Sequence, residues 1–318
     1  MTSAARRAAV LVLAGGPDAE REVSLVGARC VADALAADPR FDVRHEVVGR
    51  PDAAALAALG GDVVFPVLHG PFGEGGPMQD LLEAGGRPYV GCGPRAARLA
   101  MDKAATKLAA LRLGIATAEA AIFNPNDGES PLVLPVVLKP VHEGSSVGLH
   151  ICRDAAQWEA ARQAVLADLR EHPRRVYLLE REIERGRELT VGLLDGLPLA
   201  PIEIRPAQGV YDYQAKYHRD DTRYDVSPAL PAGVTERIQS QAAALASALG
   251  VRHLARVDFI LDSAGVAWLL EINTMPGFTT HSLLPMAALH AGLPFAALCA
   301  KLVDLALRDG PRPAARLS

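Results

Sequence analysis

The sequence predicts an α/β protein of two or three domains, and three observations carry that expectation. At 318 residues, half of them apolar, the chain is too long for one small core yet able to bury several. It opens with an apolar run, a glycine pair and a helical pattern, the strand–turn–helix start of an α/β unit. Near its end, Arg256–Asn273 reads as a β-hairpin, two alternating runs flanking the turn-forming cluster Asp262–Gly265.

Each element follows in order. Arg6-Arg7 before Ala8–Ala14 has the outline of a signal peptide, but the apolar run is short and no small-residue cleavage site follows, so a first strand is expected. Gly15-Gly16 ends it, and a helix begins near Val23, with Val26, Cys30 and Leu35 on one face. This turn is no dinucleotide fingerprint, because G-x-G-x-x-G is absent. Glu20 sits at the strand's C-terminal edge, where open α/β sheets place ligands, although an acid there also suits the helix dipole. Asp62–Leu68 is a second buried strand and ends in His69 and a glycine-rich run to Gly76. His69 is a ligand-binding group or a capping imidazole. Arg87–Val90 predicts a short third strand, and Pro94–Leu113 one helix with Lys103 and Lys107 on a face that is ordinarily solvated.

A second domain is expected from about Ile115. Leu132–Lys139 is an apolar strand that delivers a lysine into Gly144-Ser145-Ser146-Val147-Gly148, after which Leu149–Cys152 resumes a strand. Exposed backbone N–H groups, two hydroxyls and a fixed cation are the parts of a phosphate cradle, and this is favoured over an ordinary glycine hairpin. It is not a Walker A loop, since the lysine precedes the glycines. Asp154–Leu169 is a helix, Val176–Glu180 a strand ending in an acid, and Leu189–Leu194 and Leu199–Ile204 are strands around Asp195-Gly196. Arg205–Pro231 is a long polar loop with four of the six tyrosines, a composition that fits a lid better than disorder. Thr235–Leu249 is a helix capped by Gly250, His281–Ala291 starts a last helical region, and Gly310–Ser318 is a tail.

In the hairpin, strict alternation puts Val257, Phe259 and Leu261 on one face, as it does Val266, Trp268, Leu270 and Ile272. With an even-numbered loop, Arg256 faces Glu271 and Asp258 faces Leu269. Arg256, Asp258, Glu271 and Asn273 then project together. Two carboxylates and an amide oxygen suit Mg²⁺, which leaves part of its shell to water and phosphate. The same pattern also describes a half-buried hairpin with a solvated face.

Formal charge is −4, which gives no reason to expect nucleic acid or an anionic membrane as partner. The longest apolar runs fall short of a membrane span. Cys30, Cys92, Cys152 and Cys299 are scattered, as in a reduced, cytoplasmic protein.

The order of these parts resembles the ATP-grasp superfamily. Gly15-Gly-Pro-Asp-Ala-Glu-Arg-Glu-Val-Ser24, His69-Gly-x-x-Gly-Glu74, Met101-Asp-Lys103, Lys139-Pro-x-x-Glu-Gly-Ser-Ser-Val-Gly148, Gly186-Arg-Glu188, Tyr211-Asp-Tyr-x-Ala-Lys-Tyr217 and Glu271-Ile-Asn-Thr-x-Pro-Gly-x-Thr-x-His-Ser282 are similar to D-alanine–D-alanine ligases over nearly the whole chain. The resemblance implies an N-terminal α/β domain (1–100) and two ATP-grasp domains (101–186, 187–318) enclosing ATP. It implies that ATP phosphorylates one D-alanine, that the amine of a second attacks the acylphosphate, and that the dipeptide serves peptidoglycan synthesis. Lys103, Lys139, Ser145, Ser146, Glu180, Ile183, Glu188 and Lys216 match ATP-binding positions. Asp258, Glu271 and Asn273 match ligands of two Mg²⁺ (or Mn²⁺) ions. Glu20, Ser145, Tyr217, Arg256 and Gly277 match the catalytic set, and Glu20, His69, Arg256, Gly277, Ser282 and Leu283 the substrate-binding one. The Lys216-Tyr217 pair implies an amine nucleophile. A cytoplasmic homodimer is expected, with neither nucleic acid nor membrane as partner. The alternatives are an ATP-grasp ligase for another amino or hydroxy acid, and a nucleotide-binding module without catalysis.

Overall fold

The computed structural model describes residues 6–206 and 222–311. Three sheets organise them. The first is parallel, in the order β2 (Phe41–Val48), β1 (Ala8–Gly15), β3 (Val63–Pro66). Residues of β1 alternate between two cores. Val10, Val12 and Ala14 meet Val31 and Leu35 of α1 (Arg21–Ala36) and Leu298 and Leu302 near the end of the chain. Leu11 and Leu13 meet Leu56 of α2 (Ala53–Ala58), then Met78 and Leu82 of α4 (Pro77–Ala84), which follows the short α3 (Gly70–Gly73). A strand covered on both faces must be apolar throughout, hence its continuous hydrophobic run.

Two expected elements that follow β3 in the chain are corrected. The third strand expected at Arg87–Val90 is reduced to one parallel bridge, Tyr89 to Val64. The single helix expected over Pro94–Leu113 is two, α5 (Pro94–Met101) and α6 (Lys103–Arg112). Asp102 breaks it with extended backbone, and its carboxylate accepts the Ala105 N–H as an N-cap.

The second sheet is antiparallel, in the order β4 (Ala120–Ile122), β7 (Tyr177–Arg181), β5 (Val136–Pro140), β6 (His150–Cys152). Strand β5 starts four residues later than expected because Pro135 has no N–H for a ladder. Trp158, Ala161 and Val165 of α7 (Ala155–Glu171) cover Val136, Leu138 and Leu179.

The third sheet is antiparallel, in the order β11 (Arg223–Val226), β10 (Ile202–Arg205), β8 (Arg187–Leu194), β12 (Leu254–Leu261), β13 (Ala267–Asn273), with β9 (Leu197–Pro198) paired to β8. The expected loop Arg205–Pro231 therefore contains a strand. Ile238, Ala242 and Leu245 of α8 (Val234–Leu249) pack on Val191, Leu193, Val257 and Phe259. Gly250 closes α8 at φ +78°, a left-handed cap that glycine adopts without strain. The chain ends in α9 (Leu283–His290) and α10 (Phe295–Asp309), and α10 returns to pack on α1 and β3.

His253 ties the first and third layers together. Its Nδ1 accepts the Gly91 N–H at 3.0 Å, so Nε2 carries the proton toward Asp309 Oδ2 at 3.1 Å. Burial, helped by Arg252, pushes the imidazole down to about 4 despite Asp309. A ring whose folded pKa lies below its free value resists protonation. Its contribution to stability is complete above about pH 6.5 and is lost as the pH falls toward 4. The stability advantage of wild type over His253→Asn, measured by urea unfolding, should shrink by up to about 3 kcal/mol between pH 7.5 and pH 4.5. A constant difference would refute the assignment.

Candidate functional site

The hairpin β12–β13 forms the floor of the site, and its register differs from the expected one. Arg256 pairs with Asn273 and Asp258 with Glu271, but Phe259 then pairs with Leu269. Leu270 is the extra residue of a β-bulge. The bulge resets the alternation, so Ala267, Leu269 and Ile272 all face the core with Val257, Phe259 and Leu261. Trp268 is on the opposite face, where its Nε1 donates to Asp262 at 2.8 Å. The four polar residues still converge, now as two directly opposed pairs.

Each is held. Arg256 grips Asp258 in a fork, Nε to Oδ1 at 2.9 Å and Nη2 to Oδ2 at 2.8 Å, and Thr190 of β8 donates to Oδ1 at 2.6 Å. Lys103, the first residue of α6, reaches Glu271 Oε2 at 3.3 Å and donates to the Glu143 carbonyl at 2.6 Å. Asn273 Oδ1 accepts the Met275 N–H at 2.9 Å. Among the described residues no three His, Cys, Asp or Glu side chains form a metal cluster. Two opposed carboxylates and an amide oxygen nevertheless fit a hard divalent cation that completes its shell with water and phosphate.

A cavity of about 390 Å³ opens above this floor. Of the residues expected from the sequence, it is lined by Glu20, His69, Lys103, Ser145, Arg256, Glu271, Asn273, Gly277, Ser282 and Leu283. Glu20, beside the N-terminus of α1, accepts a short hydrogen bond from Ser145 Oγ, so the first and second layers meet here. Ser145 and Ser146 both have positive φ, +50° and +59°. At Gly144 a Cβ would lie 2.8 Å from Glu20 Oε2, so a larger residue there would push the Glu20 carboxylate aside.

His69 lines the cavity. Its Nδ1 lies 2.9 Å from the Met275 carbonyl, which can only accept, so Nδ1 is protonated and Nε2 is a bare acceptor. Nε2 is buried with no hydrogen-bond partner among the described residues. Burial holds the ring below its ordinary range. Beside it Glu74 accepts N–H groups of Gly70 and Met275, both at 3.2 Å. Burial, reinforced by Glu20, pushes the Glu74 carboxyl well above the usual carboxylate range.

Ser282 caps the turn before α9, and its Oγ accepts the Thr279 N–H at 3.0 Å. Lys139 and Glu180 do not line the cavity and form a close buried ion pair. Ser146 is in the glycine loop, Ile183 in the turn between β7 and β8, and Glu188 on β8 opposite Ile260. Lys216 and Tyr217 fall outside the described residues.

Sequence reasoning gave no role to Glu74, Thr190 or Lys107. Glu74 belongs to a quoted motif but is far from the hairpin in sequence. Lys107 was expected on a solvated face, yet it is 6% exposed and salt-bridged to Glu180. Two other acids near these motifs have local partners: Asp18 accepts the Phe72 N–H at 2.7 Å, and Asp80 pairs with Arg98.

The comparisons agree with one another. Residues 44–92 match the family described as "D-ala D-ala ligase N-terminus" and residues 115–304 "D-ala D-ala ligase C-terminus". The D-alanine–D-alanine ligase of Bordetella avium is 43% identical over 288 residues, 87% of this chain and 88% of that protein. That of Alkalilimnicola ehrlichii is 40% identical over 320 residues, 98% of each. Among solved structures, the Bacillus anthracis D-alanine–D-alanine ligase complexed with ATP superposes with a TM-score of 0.80 at 28% identity, covering 96% of this chain and 98% of that one. The VanG D-Ala:D-Ser ligase of Enterococcus faecalis gives 0.78 at 27% identity, covering 95% and 100%. With both halves matched, near full-length relatives at about 40% identity and this fold, the chain belongs to the D-alanine–D-alanine ligase family, of the ATP-grasp fold.

Proposed function

We propose that this chain is an ATP-dependent ligase that joins two D-alanines through an acylphosphate, releasing ADP and phosphate, and so supplies a peptidoglycan precursor. The observation that carries the reading is the shared cavity, in which Glu20 and Ser145 meet over the Arg256–Asp258–Glu271–Asn273 floor. Three domains, 1–100, 101–186 and 187–318, are inferred, with α10 closing back on the first. No single helix among the described residues is long and apolar enough to cross a membrane. A cytoplasmic homodimer without nucleic acid is part of the proposal.

The residues divide the work by charge. Glu20 receives the ammonium of the first D-alanine, with Ser145 and Tyr217 fixing its carboxylate. Lys103, Lys139, Ser145, Ser146 and Lys216 hold the ATP phosphates, and Glu180, Ile183 and Glu188 the adenine and ribose side. Asp258, Glu271 and Asn273 would hold two Mg²⁺ ions, or Mn²⁺, which neutralise phosphate charge when bound. Arg256 and the Gly277 N–H oppose the oxyanion that forms when the second amine attacks the acylphosphate. Ser282 and the Leu283 backbone take the second carboxylate. His69 presents a neutral Nε2 acceptor to an N–H donor of bound substrate.

The direct test is ADP release with ATP and Mg²⁺, using D-alanine, L-alanine, and D-alanine with D-serine or D-lactate, and identifying products by mass. ADP with D-alanyl-D-alanine is expected from D-alanine alone. ADP without that dipeptide would move the substrate to another amino or hydroxy acid. ATP binding without turnover would favour a non-catalytic module.

Glu271→Gln should lower kcat by about a hundredfold or more, because it removes one anionic ligand opposite the transferring phosphoryl group. The loss should be partly offset by raising Mg²⁺, read as a higher half-activating concentration. Unchanged kcat would remove the hairpin from the metal site.

A further inference from the structure

The buried triad of Lys107, Lys139 and Glu180 holds a group that the reaction scheme leaves unused. Lys107 lies one helical turn after Lys103 on α6, but unlike Lys103 it does not line the cavity. Its Nζ sits 2.6 Å from Glu180 Oε1 and 2.5 Å from Thr117 Oγ1. The other Glu180 oxygen, Oε2, makes a close pair with Lys139. All three charged side chains are nearly enclosed, with side-chain exposures of 8% for Lys107, 10% for Lys139 and 6% for Glu180. One carboxylate is thus shared by two ammonium groups, one oxygen each.

The arrangement matters because the two lysines have different freedoms. Lys139 is the penultimate residue of β5 and leads directly into the glycine loop. In the proposed function it contacts nucleotide phosphate, yet here it is spent on Glu180. Drawing it onto phosphate removes half of the charge that compensates Glu180. A buried carboxylate left without a partner is strongly unfavourable. Lys107 is anchored elsewhere, by Thr117 and by the packing of α6 against the third sheet. It stays with Glu180 when Lys139 leaves. Burial works to raise the Glu180 carboxyl, and the two lysines outweigh it and hold the group below its ordinary value.

We propose that Lys107 is a positioning residue that acts as the standing counter-ion of Glu180, so that Lys139 is free to exchange that carboxylate for a phosphate of the nucleotide. This rests on the ATP-dependent reading of the site. It assigns Lys107 no contact with ATP or D-alanine. Its effect is confined to the cost of releasing Lys139, and it belongs to nucleotide affinity and not to the amino-acid sites.

The test is a double-mutant cycle on the full-length enzyme, read by calorimetric titration with Mg²⁺–ATP and by steady-state kinetics. In Lys107→Met, Lys139 is the one charged partner of Glu180 that remains among the described residues. The Kd and KM for ATP should rise about tenfold while KM for D-alanine changes by less than about twofold. Lys107→Arg, which keeps a buried cation, should recover most of the ATP affinity. In a Glu180→Gln background the carboxylate that traps Lys139 is gone, so Lys107→Met should have no further effect on ATP affinity. This background also removes the unpaired charge, so it keeps the test available if Lys107→Met alone fails to fold. An equal loss with and without Glu180→Gln would overturn the proposal, as would a parallel rise in both KM values with a lowered Tm. Failure of the wild type to couple ATP hydrolysis to D-alanine would instead count against the proposed function, since the ATP titration is independent of turnover.

Discussion

The site depends on one extra residue. Strict alternation along β13 sends Leu270 and Ile272 to one face and Leu269, Glu271 and Asn273 to the other. Leu269 would then be wasted on the polar side. By bulging at Leu270, the strand sends Ala267, Leu269 and Ile272 into the core beneath α8 and still presents Glu271 and Asn273 opposite Asp258 and Arg256. Apolar burial of roughly 2 kcal/mol per large side chain therefore fixes the strand's position without disturbing the polar row. Bulges are common beside active sites because they re-aim side chains in this way.

The floor is useful only if the other layers arrive at the right height. Met275, just past β13, is gripped by both its peptide groups: its carbonyl accepts from His69 Nδ1 and its N–H donates to Glu74. Phe278, three residues on, is fully buried between Phe65 of β3 and Phe295 of α10, with ring centroids 5.7 Å apart in each case. The segment carrying Gly277 is thus pinned between two anchors in the first layer. The glycine loop comes from the second layer and is joined to the first by Ser145 and Glu20. Each layer contributes groups that none of the others could place.

Three acids around the site each have basic partners from the same chain. Lys103 lies on Glu271, Arg256 on Asp258, and Lys139 with Lys107 on Glu180. In the proposed chemistry a polyanionic nucleotide and divalent cations replace these pairs by exchange, anion for carboxylate and metal for ammonium. Exchange of one partner for another avoids the large desolvation penalty that isolated buried charges carry. It also places electrostatic stabilisation on the transferring group without reorganising solvent.

Much of this was legible in the residue order. Continuous apolar runs gave β1, β3, β5 and β7, since a strand buried on both faces leaves no room for polar alternation, whereas β2 and β4 are partly exposed, carry no such run and were not expected. The glycine loop after Lys139, the acidic hairpin and the family motifs identified the groups that the cavity collects, because short motifs encode local backbone chemistry. The break at Asp102 was missed, although aspartate is a common N-cap residue. What local pattern could not supply was the partner of each side chain. A one-residue bulge is invisible to alternation, and the burial of Lys107 depends on Glu180, 73 residues away. Glu74 and His69 gain their roles from Met275, more than 200 residues downstream. Sequence by itself determined which chemistry was available and in what order. Only the tertiary structure decided which charges face each other, because pairing in a folded chain is set by layer packing and strand register, not by distance along the backbone.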